Sequence, residues 1–253
     1  MEKVTDFGFE TIATKDKSPR VRQIFDTVAK RYDLMNDLMS GGLHRLWKNA
    51  MVARLRPRPG YDMLDLAGGT GDIAFRLLRA AQGEDNNGRT SRVRVLDINH
   101  EMLKVGQARG HRKGLSQGLD WLCADAEKLP LPRHCVDTVT IAFGLRNVTD
   151  KAAALAEAHR VLKPGGRFFC LEFSQMVLPG LSELYDRYSL ELLPEIGARV
   201  TGDRDAYRYL AESIRTFPNQ RRLAAMCEEA GFARVKVENL SGGIAALHSG
   251  WRL

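Results

Sequence analysis

The residues from Tyr61 to Arg76, YDMLDLAGGTGDIAFR, constrain this chain more than any other stretch. A short apolar run ends at Asp65, a turn carries Gly68, Gly69 and Gly71, and apolar residues resume at helical spacing through Ile73, Ala74 and Leu77. The pattern is strand, tight turn, helix. Glycine accepts positive φ and carries no side chain, so such a turn can bring backbone N–H groups and a helix N-terminus against a ligand. A nucleoside cofactor is the ligand expected there.

Charge separates the candidate cofactors. Gly69, Gly71 and Ala74 satisfy the dinucleotide fingerprint G-x-G-x-x-G/A, so a nicotinamide or flavin has to be weighed. Asp65, four residues before Gly69 at the mouth of the turn, argues against it. Its carboxylate would repel a pyrophosphate but suits a ligand carrying an ammonium and a sulfonium, which is S-adenosylmethionine. Asp97 closes the next apolar run, VRVLD, where it can accept both ribose hydroxyls. Asp125 follows the run LDWLC and can take an adenine amino group, since ligands of open α/β sheets bind at the carboxyl ends of the strands.

The rest of the chain alternates apolar runs with helical periodicity. Seven strand-like runs, the last two (233–240 and 244–248) joined as a hairpin, fit an α/β class I methyltransferase: a Rossmann-like seven-stranded sheet, mostly parallel, with an antiparallel last strand. A single domain over 1–253 is expected, with a helical lid at 18–56, a cofactor-binding core at 60–174, a helical insertion over the substrate side at 175–222, and a closing helix and hairpin at 223–253. Residues 1–17 read as a polar, mobile lead-in. Ser18 and Pro19 then read as cap and first residue of a helix whose face is Val21, Ile24, Phe25, Val28, Ala29 and Tyr32. After Ser40-Gly41-Gly42 a second helix restarts through Leu43, Leu46, Trp47 and Ala50, while Met35, Leu38 and Met39 read as packing. The strand Val136–Phe143 ends in Gly144-Leu145-Arg146-Asn147, which puts an arginine and an amide where substrate should lie. His159 reads as a packed histidine; His44, near the lid break, is open to either packing or substrate contact.

Bulk properties narrow the class further. The four cysteines have no CxxC spacing and read as buried reduced thiols, so no metal site and a reducing compartment are expected. No apolar run approaches a membrane span, and MEKVTDFGFE has no signal core, which predicts a cytoplasmic protein on a membrane surface at most. The net charge of +7 is concentrated between Lys15 and Arg58, where eleven Lys or Arg face four Asp. Aromatic residues are too few there to stack bases, so nucleic acid is disfavoured; an anionic membrane surface and a plain solvated face remain.

Two long stretches carry a resemblance. YDLMNDLMSGGLHRLW at Tyr32–Trp47 and RVLKPGGRFFCLEFS at Arg160–Ser174 resemble the signatures of the ubiquinone/menaquinone biosynthesis C-methyltransferases, and FGLRNVTDK, YRYLAESIRTFPNQ and the ending HSGWRL extend the likeness over nearly the whole chain. The resemblance implies methyl transfer from S-adenosylmethionine to a ring carbon of a polyprenyl benzoquinol, and in relatives also of demethylmenaquinol. It places cofactor contacts at Thr70, Asp97, Asp125 and Ala126. Where the family often has a serine, two residues before the glycine of the FG pair, this chain has Ala142. It also implies work at the inner membrane face beside other quinone-biosynthesis enzymes.

The bond to be made asks for a phenolate, and a phenol with a pKa of about 10 needs help at neutral pH. Arg146 and Asn147 are the expected catalytic pair, one a fixed cation and the other a neutral donor; the base is open between Asp33 and His44. The competing readings are a methyltransferase for another small aromatic or lipid, a quinone-holding scaffold with little turnover, and a nicotinamide oxidoreductase.

Overall fold

The computed structural model describes residues 4–28, 32–177, 195, 198–199 and 204–253, and the side chains of all of these except Thr27, Val28, Tyr32 and Asp33. The expected roles of Val28, Ala29, Tyr32 and Asp33, and most of the insertion between 178 and 203, lie outside what is described.

A seven-stranded sheet forms the centre. Its strands are β3 (Asp62–Leu66), β4 (Arg92–Asp97), β5 (Leu119–Cys123), β6 (Val136–Ala142), β7 (Leu162–Phe173), β8 (Ala233–Leu240) and β9 (Ala245–Trp251), in the order β5-β4-β3-β6-β7-β9-β8. β3 pairs in parallel with both β4 and β6, and β9 runs antiparallel to both β7 and β8. This is the class I methyltransferase sheet that the sequence predicts. Chain direction out of the sheet reverses on either side of β3, so a crevice opens at the carboxyl ends of β3, β4 and β6.

The strands are apolar on both faces because helices cover both. Met63, Val93, Val95, Phe169 and Leu171 face one core with α3 (His44–Leu55), α4 (Asp72–Ala80) and α7 (Arg204–Thr216). Their neighbours Leu64, Leu96, Phe168 and Cys170 face a second core with α6 (Lys151–Val161) and α8 (Gln220–Glu229). The period of two is the alternation of side chains along a strand. Two helix starts are closed by side-chain caps: Asn99 accepts from the Met102 N–H to open α5 (His100–Arg112), and Asp150 accepts from the Ala153 N–H to open α6.

Three local expectations are corrected. The lead-in is not a loose tail: β1 (Val4–Phe7) and β2 (Glu10–Ala13) form an antiparallel hairpin through Gly8, whose φ is +60°, and Phe7 stacks on Tyr209 of α7 at 4.6 Å. α1 (Thr14–Val28) consequently starts at Thr14 rather than Ser18, with Pro19 inside it at the cost of one helical hydrogen bond. β7 begins at Leu162, and Lys163-Pro164-Gly165-Gly166 continues the strand past a register shift opposite Val136–Thr138. Of the cysteines, Cys170 and Cys227 are buried, but Cys123 is exposed and Cys135 half-buried, since β5 is an edge strand and Cys135 lies in the loop before β6; all four are free thiols. α2 (Tyr32–Ser40) buries Met35 and Met39 against α3, as packing predicts.

Candidate active site

A cavity of about 310 Å³ lies in the crevice at the ends of β3, β4 and β6. One wall is the glycine turn. Gly69 and Gly71 sit at φ +51° and +78°, and Ala67, unusually for alanine, at +49°. A Cβ on Gly68 would meet Val95 and the Asp65 carboxylate, and one on Gly71 would meet Trp121, so the turn is packed against its own sheet as tightly as glycine allows.

Asp65 stands at the end of β3 with 1% of its surface exposed. Its Oδ1 accepts from the Thr140 hydroxyl at 2.8 Å, while Oδ2 is buried with no hydrogen-bond partner, although the residue lines the cavity. Burial pushes its pKa up to about 7. An orphaned carboxylate oxygen of this kind calls for a cationic donor, and the ammonium of S-adenosylmethionine is one. Asp97, at the end of β4, is fixed by accepting the Gly69 N–H on Oδ2 (2.9 Å) and the Asn99 N–H on Oδ1 (2.8 Å). Burial raises it to about 6, and each oxygen keeps a second lone pair for a ribose hydroxyl. Thr70 is buried, and its Oγ1 accepts from the Arg109 guanidinium at 2.8 Å, which leaves its proton to donate. Asp125, exposed, and Ala126, buried, line the same cavity, as does Ala142. Asp125 turns one oxygen back onto the Glu127 N–H. The pocket therefore fits the cofactor at both its adenosine and its amino-acid end.

The expected catalytic pair is split by the fold. Residues Leu145–Asn147 form a 3-10 turn after β6. Asn147 lines the cavity, and its Oδ1 accepts from the Tyr209 hydroxyl at 3.1 Å, so its amide N–H groups are the ones left to donate. Arg146 is buried and does not line it. Its guanidinium pairs with Glu172 of β7 at 3.1 Å and donates to the Phe143 carbonyl at 2.6 Å. Burial raises the Glu172 pKa and Arg146 opposes that rise. The sequence reading set Arg146 against substrate; the geometry is a buried pair beneath the turn that presents Asn147.

His44 is buried away from the cavity with Nε2 2.8 Å from Asp37, and burial lowers its pKa. His159 packs edge-on against Phe232. Sequence reasoning missed several residues that the fold brings in. Lys48 of α3 lines the cavity beside Asp65, and Thr14, Ser18, Val21, Arg22 and Phe25 of α1 form its outer wall. Glu172 did leave a signal, as one carboxylate inside the apolar run RFFCLEF. Lys48 left none of comparable strength. Among the described residues no group of His, Cys, Asp or Glu could hold a metal.

Comparison with known proteins agrees with this geometry. The sequence profile of the ubiE/COQ5 methyltransferase family matches residues 13–252. The chain is 57% identical over 248 residues to the ubiquinone/menaquinone biosynthesis C-methyltransferase UbiE of Acidiphilium cryptum, across 98% of this chain and 96% of that protein. It is 55% identical over 249 residues to the UbiE of Brucella abortus, across 98% and 90%. Among solved structures, a SAM-dependent methyltransferase from Aquifex aeolicus superposes with a TM-score of 0.60 at 16% identity, covering 85% of this chain and 94% of that one, a likeness of fold.

Proposed function

The chain belongs to the ubiE/COQ5 methyltransferase family, and from that premise we propose that it transfers a methyl group from S-adenosylmethionine to a ring carbon of a polyprenyl benzoquinol, and of demethylmenaquinol, in quinone biosynthesis. The observation that carries the reading is the Asp65 Oδ2, a buried carboxylate oxygen without a partner in the same cavity as Asp97 and Asn147. A nicotinamide cofactor would set its pyrophosphate at this turn, where the carboxylate repels it.

When bound, S-adenosylmethionine supplies an electrophilic methyl on a sulfonium; transfer forms the ring carbon–carbon bond, breaks the sulfur–methyl bond and releases the ring proton. Asp65, Gly69, Thr70, Gly71, Asp97, Asp125, Ala126 and Ala142 hold the donor. Asn147, turned by Tyr209, donates to the quinol oxygen and favours its phenolate. Arg146 acts through the turn rather than by touch: its pair with Glu172 and its bond to the Phe143 carbonyl fix the backbone that aims Asn147. α1 closes the outer side against water, which raises the effective strength of every charge inside.

The same reading takes the chain as one domain with a helical lid at 18–56 and a helical insertion at 175–222. It also includes a cytoplasmic location with peripheral contact to the inner membrane face, where an isoprenoid substrate and other quinone-biosynthesis enzymes would be met. No helix among the described residues is long and apolar enough to cross a membrane.

The test is turnover with labelled S-adenosylmethionine and two short-tailed acceptors, a reduced benzoquinol and a reduced demethylnaphthoquinol. Label on a ring carbon is expected with either acceptor. Arg146→Ala should lower kcat at least about tenfold while cofactor affinity holds. Cofactor binding without transfer to either acceptor would point to another aromatic or to a quinone-holding role.

A further inference from the structure

The amino-acid end of S-adenosylmethionine carries an ammonium, a sulfonium and a carboxylate. Asp65 answers the ammonium, but no acidic residue of the cavity can answer the carboxylate. Asp65, Asp72, Asp97, Asp125 and Glu127 all line it, and an anion left among them without a cation would be repelled. Among the described residues three cations line the cavity: Lys15 and Arg22, exposed on α1, and Lys48, whose side chain is 5% exposed.

We propose that Lys48 is the group that receives the carboxylate of the cofactor, as the positive pole opposite Asp65. α3 carries Lys48 into the cavity from the segment before the cofactor strand. Its Nζ donates to Asp72 Oδ2 at 2.9 Å, which uses one of three donors and leaves two. Asp72 is itself shared: Arg76 lies 3.4 Å from its other oxygen, so Lys48 is not the sole counter-charge of this carboxylate. Burial pushes the Asp72 carboxyl up, but Lys48 and Arg76 outweigh it and hold it down at about 2, so Asp72 stays an anchor for Lys48 throughout the working range of pH. The Phe143 ring, 5.8 Å from Nζ, supports the ammonium on a further side. Lys48 is close enough to Asp65 to favour its charged form. The two poles thus strengthen each other, and a zwitterion laid across them satisfies both.

This assignment builds on the cofactor reading of the cavity, and its test separates the two. Calorimetric titrations of the full chain compare S-adenosylmethionine with its decarboxylated form, identical but for the missing carboxylate, on the wild type, Lys48→Met and Lys48→Arg. Wild type should bind the decarboxylated ligand about 10- to 100-fold more weakly than the parent, the range for a charge-assisted bond. Lys48→Met should lose a similar factor for S-adenosylmethionine and less than about threefold for the decarboxylated ligand, with Lys48→Arg recovering most of the loss. Equal losses for both ligands would mark Lys48 as merely structural and overturn the assignment, as would no loss for either. If Lys48→Met fails to fold, Lys48→Gln takes its place in the same comparison, and equal affinity of the wild type for the two ligands overturns the assignment in either case. Binding of neither ligand by the wild type would instead bring down the cofactor reading, and the Lys48 assignment with it.

Discussion

Asp65 shows what a functional residue costs the fold that holds it. Its folded pKa of about 7 lies above the ordinary 3.8, so between those values the folded chain keeps a proton that the unfolded chain has lost. Its stabilising share is therefore complete below about pH 4 and is lost as pH rises through 7, a penalty of up to about 4 kcal/mol at neutral pH. Asp65→Asn keeps the Thr140 bond and removes the penalty. The ligand-free variant should melt several degrees above wild type at pH 8 and level with it at pH 4, by calorimetry, while binding S-adenosylmethionine at least about 100-fold more weakly. Wild-type affinity for the cofactor should in turn rise with pH up to about 7 and level off, as the carboxyl ionises. Asp65 was legible in the sequence because its role follows from closing an apolar run just before a glycine turn. The partners of Arg146 and Asn147 were not: Glu172 lies 26 residues from one and Tyr209 62 residues from the other.

At the scale of elements, α1 and the cofactor loop are joined by one side chain with two jobs. Asn99 caps α5 with its Oδ1, and its Nδ2 donates to Asp26 Oδ1 of α1 at 2.8 Å, two residues from the ribose aspartate. Asp26→Ala removes the shorter of the two bonds from Asn99 to α1, the other running to the Arg22 carbonyl at 3.4 Å, and leaves the cap. We expect dissociation of S-adenosylmethionine, followed by stopped-flow fluorescence, to speed up about 2- to 10-fold with an unchanged melting temperature, the size of one ordinary hydrogen bond. An unchanged rate would mean that α1 does not hold the cofactor in. The cap was readable from Asn99 and the helical spacing after it. The tie needed α1 in place, and the hairpin that starts α1 early was missed because its alternation spans only four residues a strand.

For the whole molecule, the surplus of seven positive charges between Lys15 and Arg58 is partly spent internally. Arg20 pairs with Glu10, Lys48 with Asp72 and Arg54 with Glu238, all three carboxylates lying outside the segment, and Lys17 is buried. What remains on the surface predicts a modest, screened attraction. The purified protein should co-sediment more with anionic than with neutral liposomes and be released as salt shortens the Debye length below about 8 Å. Equal binding to both, or binding that salt does not release, would remove the electrostatic part of the membrane reading.

The sequence by itself determined the sheet, the glycine turn and the cofactor, because each follows from residues within one or two turns of chain. Tertiary structure alone decided which charges meet. Lys48 reaches Asp72 across 24 residues, and Arg146, read as a substrate contact, is drawn under its turn by Glu172. A buried charge must find its counter-charge wherever the fold provides one, and that place is set by the packing of α3 and β7 on the sheet rather than by spacing along the chain.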